Sequence, residues 1–226
     1  MSLPIAIVAS GNGTNAQAMI DLSKAGILDA DIRLVLCNRP GAGVLRRAAD
    51  AGVASCLLDH TTYPSREAFD EAMAEEIRKC GAELVVLAGY MRLLTDAFID
   101  AFPHRVLNLH PSLLPAFGGG VHAGADALAY GVKISGCTVH FVEKAVDSGP
   151  VIIQAAVPCI AGESEIELMT RIHYMEHRIY PQAVQWFAEG RVRLEGRQVF
   201  VATRPDAVPA EPEGGCLVWP PLEKGF

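Results

Sequence analysis

Residues 4–25, PIAIVASGNGTNAQAMIDLSKA, decide the fold. Residues 4–9 (PIAIVA) are apolar and β-branched, the composition of a buried strand, and residues 15–25 repeat their apolar positions at helical period. Between them stands SGNGTN (10–15), a glycine-rich turn leading straight into the helix. Outward from this unit the pattern repeats. Residues 32–37 (IRLVLC), 54–58, 83–88 (ELVVLA) and 105–109 (RVLNL) read as strands, and 43–51, 65–80 and 96–102 as helices between them. Near-continuous apolar strands alternating with amphipathic helices predict an α/β fold with a mostly parallel central sheet covered on both faces.

The second half changes character. A helix over 122–130 leads to strands over 136–143 (GCTVHFVE) and 151–157 (VIIQAAV), joined through DSGP (147–150) as a hairpin-like turn. A long helix over 164–189 follows. Its Ile166, Met169, Ile172, Ile179, Ala183 and Trp186 recur at helical spacing and are predicted to face the core. Ser164, with Glu165 and Glu167 after it, marks the helix start. From 203 onward proline and glycine dominate, so that tail is predicted irregular, with Leu217, Val218 and Trp219 able to dock on the body. One domain over 1–202 and a Pro/Gly-rich tail over 203–226 are expected.

Composition narrows the function. The 226 residues carry a formal net charge of −7, which supplies no basic surplus to displace counterions along a nucleic-acid backbone. Small anions need only a local cradle and remain possible ligands. The six cysteines (Cys37, Cys56, Cys80, Cys137, Cys159, Cys216) stand singly, without a C-x-x-C pair, so reduced thiols are expected rather than a disulfide framework or a metal site. The start MSLPIAIVAS has no basic segment before a long apolar one, and no apolar run reaches the roughly 20 residues of a membrane helix. A cytoplasmic protein is expected.

Two stretches carry chemistry. In SGNGTN, Gly11 and Gly13 let the backbone turn and approach a ligand, and the helix behind offers N–H groups and a positive dipole end to a phosphate. The spacing is neither G-x-G-x-x-G nor a P-loop. A plain strand–helix turn gives the same pattern, and the residues alone leave both readings open. In RVLNLHPSLLP (105–115), strand alternation puts Asn108 and His110 on one face, and Pro111 ends the strand. Two polar groups then stand at a strand's carboxyl end, where open parallel sheets bind ligands. If the turn holding Asp147 folds over the same edge, its carboxylate favours the imidazolium of His110. An amide, an imidazole and a carboxylate with no activated Ser or Cys suit acyl transfer to an amine, in which an oxyanion is stabilised and protons are exchanged. A buried Asn–His pair bridging strand and loop is the structural alternative. Ser112 lacks the context of a nucleophile and reads as a turn-forming hydroxyl.

Together SGNGTN, AGYMRLL (88–94), NLHPSLLP (108–115), VHFVEKAVDSGPVIIQ (139–154) and MEHRIYP (175–181) resemble the folate-dependent phosphoribosylglycinamide formyltransferase family, in unbroken order over roughly residues 4–195. The resemblance implies a Rossmann-like formyltransferase fold with a C-terminal hairpin and long helix. It implies 10-formyltetrahydrofolate as co-substrate, phosphoribosylglycinamide (glycinamide ribonucleotide) as acceptor, no metal, no nucleic-acid or membrane partner, and a monomer or homodimer. By position it makes Asn108, His110 and Asp147 the catalytic trio. Gly13, Thr14 and Asn15 match its phosphate site, and Glu176 matches a ribose-holding carboxylate. The folate side falls to Arg66, Met91, Arg92, Leu93, Leu94, Asn108, Glu143, Lys144, Ala145, Val146 and Asp147.

Each of these has a plainer reading. Glu176 and Arg66 could be solvated surface, Met91 to Leu94 could be core, and His140, His173 and His177 read as structural. The chain departs from the family pattern in PAFGGGVH (115–122), with three successive glycines, and in the less acidic loop 143–146. The functional rivals are a 10-formyltetrahydrofolate hydrolase, a formyltransferase acting on charged initiator tRNA, and a catalytically silent folate- or nucleotide-binding module.

Overall fold

The computed structural model describes residues 2–204, 209–210 and 214–226. Its backbone divides into two compact units, Met1–Asn108 with Val142–Lys144 and Leu109–Phe141 with Ala145–Phe226.

The first unit is the predicted parallel sheet. Strands β1 (Leu3–Ala9), β2 (Ala30–Cys37), β3 (Ser55–Leu57), β4 (Leu84–Leu87) and β5 (Val106–His110, running on into the second unit) alternate with helices α1 (Thr14–Lys24), α2 (Gly43–Ala51), α3 (Arg66–Lys79) and α4 (Asp96–Ala101). Every pairing among these strands is parallel, in the order β3-β2-β1-β4-β5. The apolar strands are buried because both faces are covered. Ala6, Val8, Leu36, Val85 and Leu87 pack with Phe69, Met73 and Ile77 of α3 and Phe98 of α4. Ile5 and Ile7, facing the other way by alternation, are equally buried, as are Met19 and Ile20 of α1 and Val44 of α2. Truncating Phe69 to Ala at the centre of that cluster would cost about 3–5 kcal/mol. Side-chain caps start two of the helices: Ser65 accepts the Ala68 N–H, and Thr95 the Phe98 N–H.

The second unit is antiparallel. Helix α5 (Ala123–Tyr130) precedes strands β6 (Ile134–Phe141) and β7 (Val151–Pro158), which pair as a hairpin with a register shift between Val139 and His140. β6 ends two residues short of its predicted limit, because the Val142 N–H leaves the hairpin to meet the Val106 carbonyl at 2.9 Å. The connection is therefore longer than the expected tight DSGP turn, and the Phe141 N–H closes it on the Pro150 carbonyl at 2.9 Å. Gly136 of β6 admits no side chain, since a Cβ there would stand 1.9 Å from the Ala155 carbonyl oxygen.

Helix α6 (Glu165–Ala188) opens on a capping box between Ser164 and Glu167. Ile172, Ile179, Ala183 and Trp186 face the core as predicted, but Ile166 does not: it is 79% exposed. The buried stripe runs Leu168, Ile172, Met175, Ile179, and two residues back from Leu168 lies about 200° round the helix.

After α6, a hairpin of β8 (Val192–Glu195) and β9 (Gln198–Val201) forms where the sequence reading assigned nothing. Its signal was two short alternating runs around Gly196-Arg197, with Gly196 at φ 57°.

The tail is more ordered than its composition suggests. β10 (Pro209–Ala210) pairs with β12 (Leu222–Glu223), and β11 (Leu217–Trp219) adds antiparallel to β7. Of the three candidate docking residues only Val218 is buried; Leu217 and Trp219 alternate outward. Glu223 holds this end to the body, pairing with Arg191 at 2.6 Å and accepting the Trp186 indole N–H at 3.1 Å. The rest of the expected irregular stretch, 205–208 and 211–213, lies outside the described residues. Among the described residues no helix is long and apolar enough to cross a membrane.

Candidate active site

β5 ends at His110, where Pro111 cannot extend a ladder. Asn108 and His110 therefore share one face at the strand's carboxyl end, His110 buried and Asn108 half-buried. His110 meets Asp147, with Nδ1 3.3 Å from the carboxylate Oδ2. Its other ring nitrogen, Nε2, lies 3.0 Å from the Phe117 carbonyl oxygen. Both nitrogens thus face acceptor oxygens.

Asp147 is held from several sides. Its backbone sits at φ 50°, a left-handed conformation that Asp tolerates better than most residues and that swings the side chain inward from the β6–β7 connection. Oδ2 also accepts the Gly119 N–H at 2.8 Å. Oδ1 lies 3.8 Å from Nε2 of His140, whose Nδ1 is 2.8 Å from the Phe141 carbonyl oxygen. The sequence reading set His140 aside as structural; the structure puts it against the carboxylate. Its signal was there in the alternation Thr138, His140, Val142, which turns His140 to the same side as Thr138.

The segment between His110 and the glycine run is fastened to the hairpin. Thr138 Oγ1 donates to the Ser112 carbonyl at 2.7 Å and accepts the Leu114 N–H at 3.1 Å. Gln154 Nε2 donates to the Leu114 carbonyl at 3.0 Å and to Thr138 Oγ1 at 2.9 Å. Ser112 is fully buried and donates its hydroxyl to the Ala116 carbonyl at 2.6 Å, the turn-forming role expected of it. A Cβ on Gly118 would lie 3.1 Å from Leu114 and 3.5 Å from Asp147, so a glycine suits this approach.

In the first unit, Gly13 caps α1 with φ 77°, no side chain caps that end, and its first turn holds no acidic residue. A Cβ on Gly13 would come within 2.6 Å of Val44, so only glycine fits there. Thr14 and Asn15 are the first two residues of α1. An uncapped helix end without a carboxylate is electrostatically suited to an anion.

Ser10 Oγ accepts the Met91 N–H at 2.9 Å, tying this turn to the 88–94 segment. Met91 and Leu93 there are 57% and 54% exposed, which removes the plain-core reading for both, while Leu94 packs on the core. Arg92 lies over the Phe69 ring at 5.6 Å, with its Nε buried and lacking a hydrogen-bond partner. Burial pushes the Tyr90 hydroxyl well up. Asp70 accepts the Thr95 N–H at 2.6 Å. Burial pushes its carboxyl up, outweighing the lowering by Thr95, Arg66 and Arg92. Arg66 and Arg92 thus share one buried anionic neighbour, although Arg66 is itself exposed.

The remaining predicted positions divide. Glu176 is buried on α6, against the solvated-face alternative. Burial pushes the Cys137 thiol far up, and the Glu176 charge adds to it. Lys144 turns to α4, 2.8 Å from Asp100 and 3.8 Å from Asp96. Glu143 is half-buried, and Ala145 and Val146 are exposed. Among the described residues no group of three or more His, Cys, Asp or Glu side chains is placed to hold a metal.

The buried His110 pairs with the half-buried Asp147 where a parallel strand ends, an arrangement able to exchange protons, and comparison with known proteins gives the class of the chain. Residues 3–184 match the formyl transferase family, and the chain belongs to that family. It is 43% identical over 190 residues to the phosphoribosylglycinamide formyltransferase of Escherichia coli (strain K12), covering 84% of this chain and 89% of the relative. To the enzyme of that name from Bacillus subtilis (strain 168) it is 38% identical over 180 residues, covering 80% and 92%. The crystal structure of glycinamide ribonucleotide transformylase 1 from Symbiobacterium toebii superposes with a TM-score of 0.87 at 48% identity, covering 89% of this chain and 95% of that one.

Proposed function

We propose that this enzyme transfers the formyl group of 10-formyltetrahydrofolate to the amine of 5-phosphoribosylglycinamide, a step of purine synthesis, by direct acyl transfer. The observation that carries the reading is the His110–Asp147 pair at 3.3 Å, in a chain of the formyl transferase family. The acceptor amine attacks the formyl carbon, and negative charge grows on the formyl oxygen. The Asn108 amide and the His110 imidazolium stabilise that charge. Asp147 holds the ring's charged form, and the proton leaving the attacking nitrogen is passed on to the departing folate nitrogen. No covalent enzyme intermediate is required, and Ser112, its hydroxyl committed to Ala116, takes no part.

The substrate assignments rest on the family and on local chemistry. The acceptor phosphate takes the uncapped α1 end at Gly13, Thr14 and Asn15. The buried carboxylate of Glu176 takes the ribose hydroxyls. The folate is bound by Arg66, by the 91–94 segment with its exposed Met91 and Leu93, by Asn108, and by the 143–147 connection. The enzyme is a cytoplasmic one and acts as a monomer or homodimer on small-molecule substrates.

The test is a deformylation assay with 10-formyltetrahydrofolate, run with and without phosphoribosylglycinamide. Formyl loss that depends strictly on the ribonucleotide and yields formylated product supports the transferase. Formyl loss at the same rate in its absence establishes a hydrolase instead. Folate binding without turnover establishes a silent binding module.

A further inference from the structure

The turn at the α1 end is held by a residue outside the assignments above. Arg47 lies on α2, one turn beyond Gly43 and on the same face. Its Nε donates to the Asn12 carbonyl at 2.8 Å, Nη2 to Asn12 Oδ1 at 3.4 Å, and Nη1 to Gln17 Oε1 at 3.5 Å. One guanidinium therefore grips both carbonyl groups of Asn12, the residue before Gly13, and a side chain on the first turn of α1. A guanidinium has five N–H donors, so the fork spends part of its capacity on the turn and keeps the rest.

Two further facts set its role. Among the described residues no carboxylate pairs with Arg47. The turn is also packed tightly on α2: the Val44 N–H donates to the Gly11 carbonyl at 3.2 Å, and a Cβ on Gly43 would meet Asn12 Oδ1 at 2.6 Å. The SGNGTN turn thus rests on α2, and Arg47 is the clamp that keeps the carbonyls of Asn12 turned toward α2. An anion at the α1 end gains from carbonyl oxygens drawn away from it and from a nearby cation.

We propose that Arg47 is a positioning and specificity residue for the acceptor's phosphate. It fixes the 10–15 turn and makes the enzyme select a phosphorylated acceptor over its dephosphorylated form. This deepens the proposed function and rests on it for the identity of the acceptor.

The experiment compares wild type with Arg47→Met and Arg47→Lys, after melting curves confirm that the variants fold. Steady-state rates are measured with phosphoribosylglycinamide and with the dephosphorylated ribosylglycinamide. Arg47→Met is expected to raise KM for the phosphorylated acceptor by about tenfold or more, the equivalent of one charge-assisted contact. The formyl-folate KM and kcat stay within about twofold, since the substitution leaves the His110 centre alone. Preference for the phosphorylated acceptor falls by the same factor as its KM rises, and Arg47→Lys recovers only part because an amine cannot fork. Equal weakening of both acceptors, or no change in KM, overturns the proposal.

Binding of inorganic phosphate and ribose 5-phosphate, followed by protection against thermal unfolding, separates this proposal from the reading beneath it. Protection of wild type that is lost in Arg47→Met supports the phosphate role even if transfer to phosphoribosylglycinamide fails. Protection unchanged in the variant sinks it even if transfer succeeds.

Discussion

Oδ2 of Asp147 lies 3.3 Å from Nδ1 of His110 while also accepting the Gly119 N–H at 2.8 Å. One carboxylate oxygen therefore joins the imidazole at the end of β5 to the glycine run 118–120. With Nε2 of the same ring facing the Phe117 carbonyl, that loop touches both members of the pair through backbone groups alone. Gly118 and Gly119, whose effect could not be read from the sequence, thus lie against the His110–Asp147 pair.

His140 approaches the other oxygen of Asp147 at 3.8 Å. His140→Ala is expected to lower kcat by up to about 100-fold by freeing the carboxylate to turn, with folate binding retained. His140→Gln, which keeps a donor near the Nε2 position, recovers part of the loss. Single-turnover rates with parallel folate titration check this, and unchanged turnover in the Ala variant removes His140 from the account.

Thr138 serves the segment 112–114 as both donor and acceptor. Thr138→Val keeps the shape and removes the hydroxyl, leaving the buried Leu114 N–H without its partner at a cost of about 1–3 kcal/mol. For a chain of this size each kcal/mol lowers Tm by about 2–4 °C, which calorimetry resolves. A variant melting with wild type means that water replaces the hydroxyl.

At Gly13 the demand is steric and conformational together, φ 77° and a Cβ 2.6 Å from Val44. Gly13→Ala is expected to raise KM for phosphoribosylglycinamide by about tenfold or more while sparing the formyl-folate KM. An unchanged dependence on the ribonucleotide counts against a phosphate site in this turn.

Burial raises the carboxyl of Asp70 above its ordinary value. Between the unfolded and folded values the native state holds more protons than the unfolded one, so stability falls as pH rises through that window. The penalty is absent below the unfolded value and complete above the folded one. Asp70→Asn cannot ionise, so its stability relative to wild type is expected to climb as pH rises from acid toward neutral. Denaturant titrations across that range check the sign, and a variant whose stability relative to wild type falls as pH rises contradicts the assignment.

Much of the fold was legible because its signals are local. Strands β1, β4 and most of β5 are buried on both faces, so their apolar runs are unbroken, and the glycine turn before α1 marks where that helix begins. Asn108 and His110 were legible together because strand alternation fixes their shared face. The tail misled because proline and glycine content says nothing of β11 finding the open edge of β7, or of Glu223 finding Arg191. The β8–β9 hairpin is too short for its alternation to stand out beside a long helix. His140 was underrated because its neighbour Asp147 is brought to it by a left-handed backbone turn, which no periodicity announces. Arg47 was invisible for a similar reason: its three acceptors lie 30 and 35 residues back in the chain.

In the proposed transfer the Asp147 carboxylate holds His110 in its working form. The most direct measurement is single-turnover formyl transfer by Asp147→Asn, alongside equilibrium folate binding. The variant keeps the size and the Gly119 contact but loses the charge. A fall of about 10²–10⁴ in the transfer rate, with the folate Kd within a few-fold of wild type, is predicted. A rate close to wild type would exclude that role for Asp147.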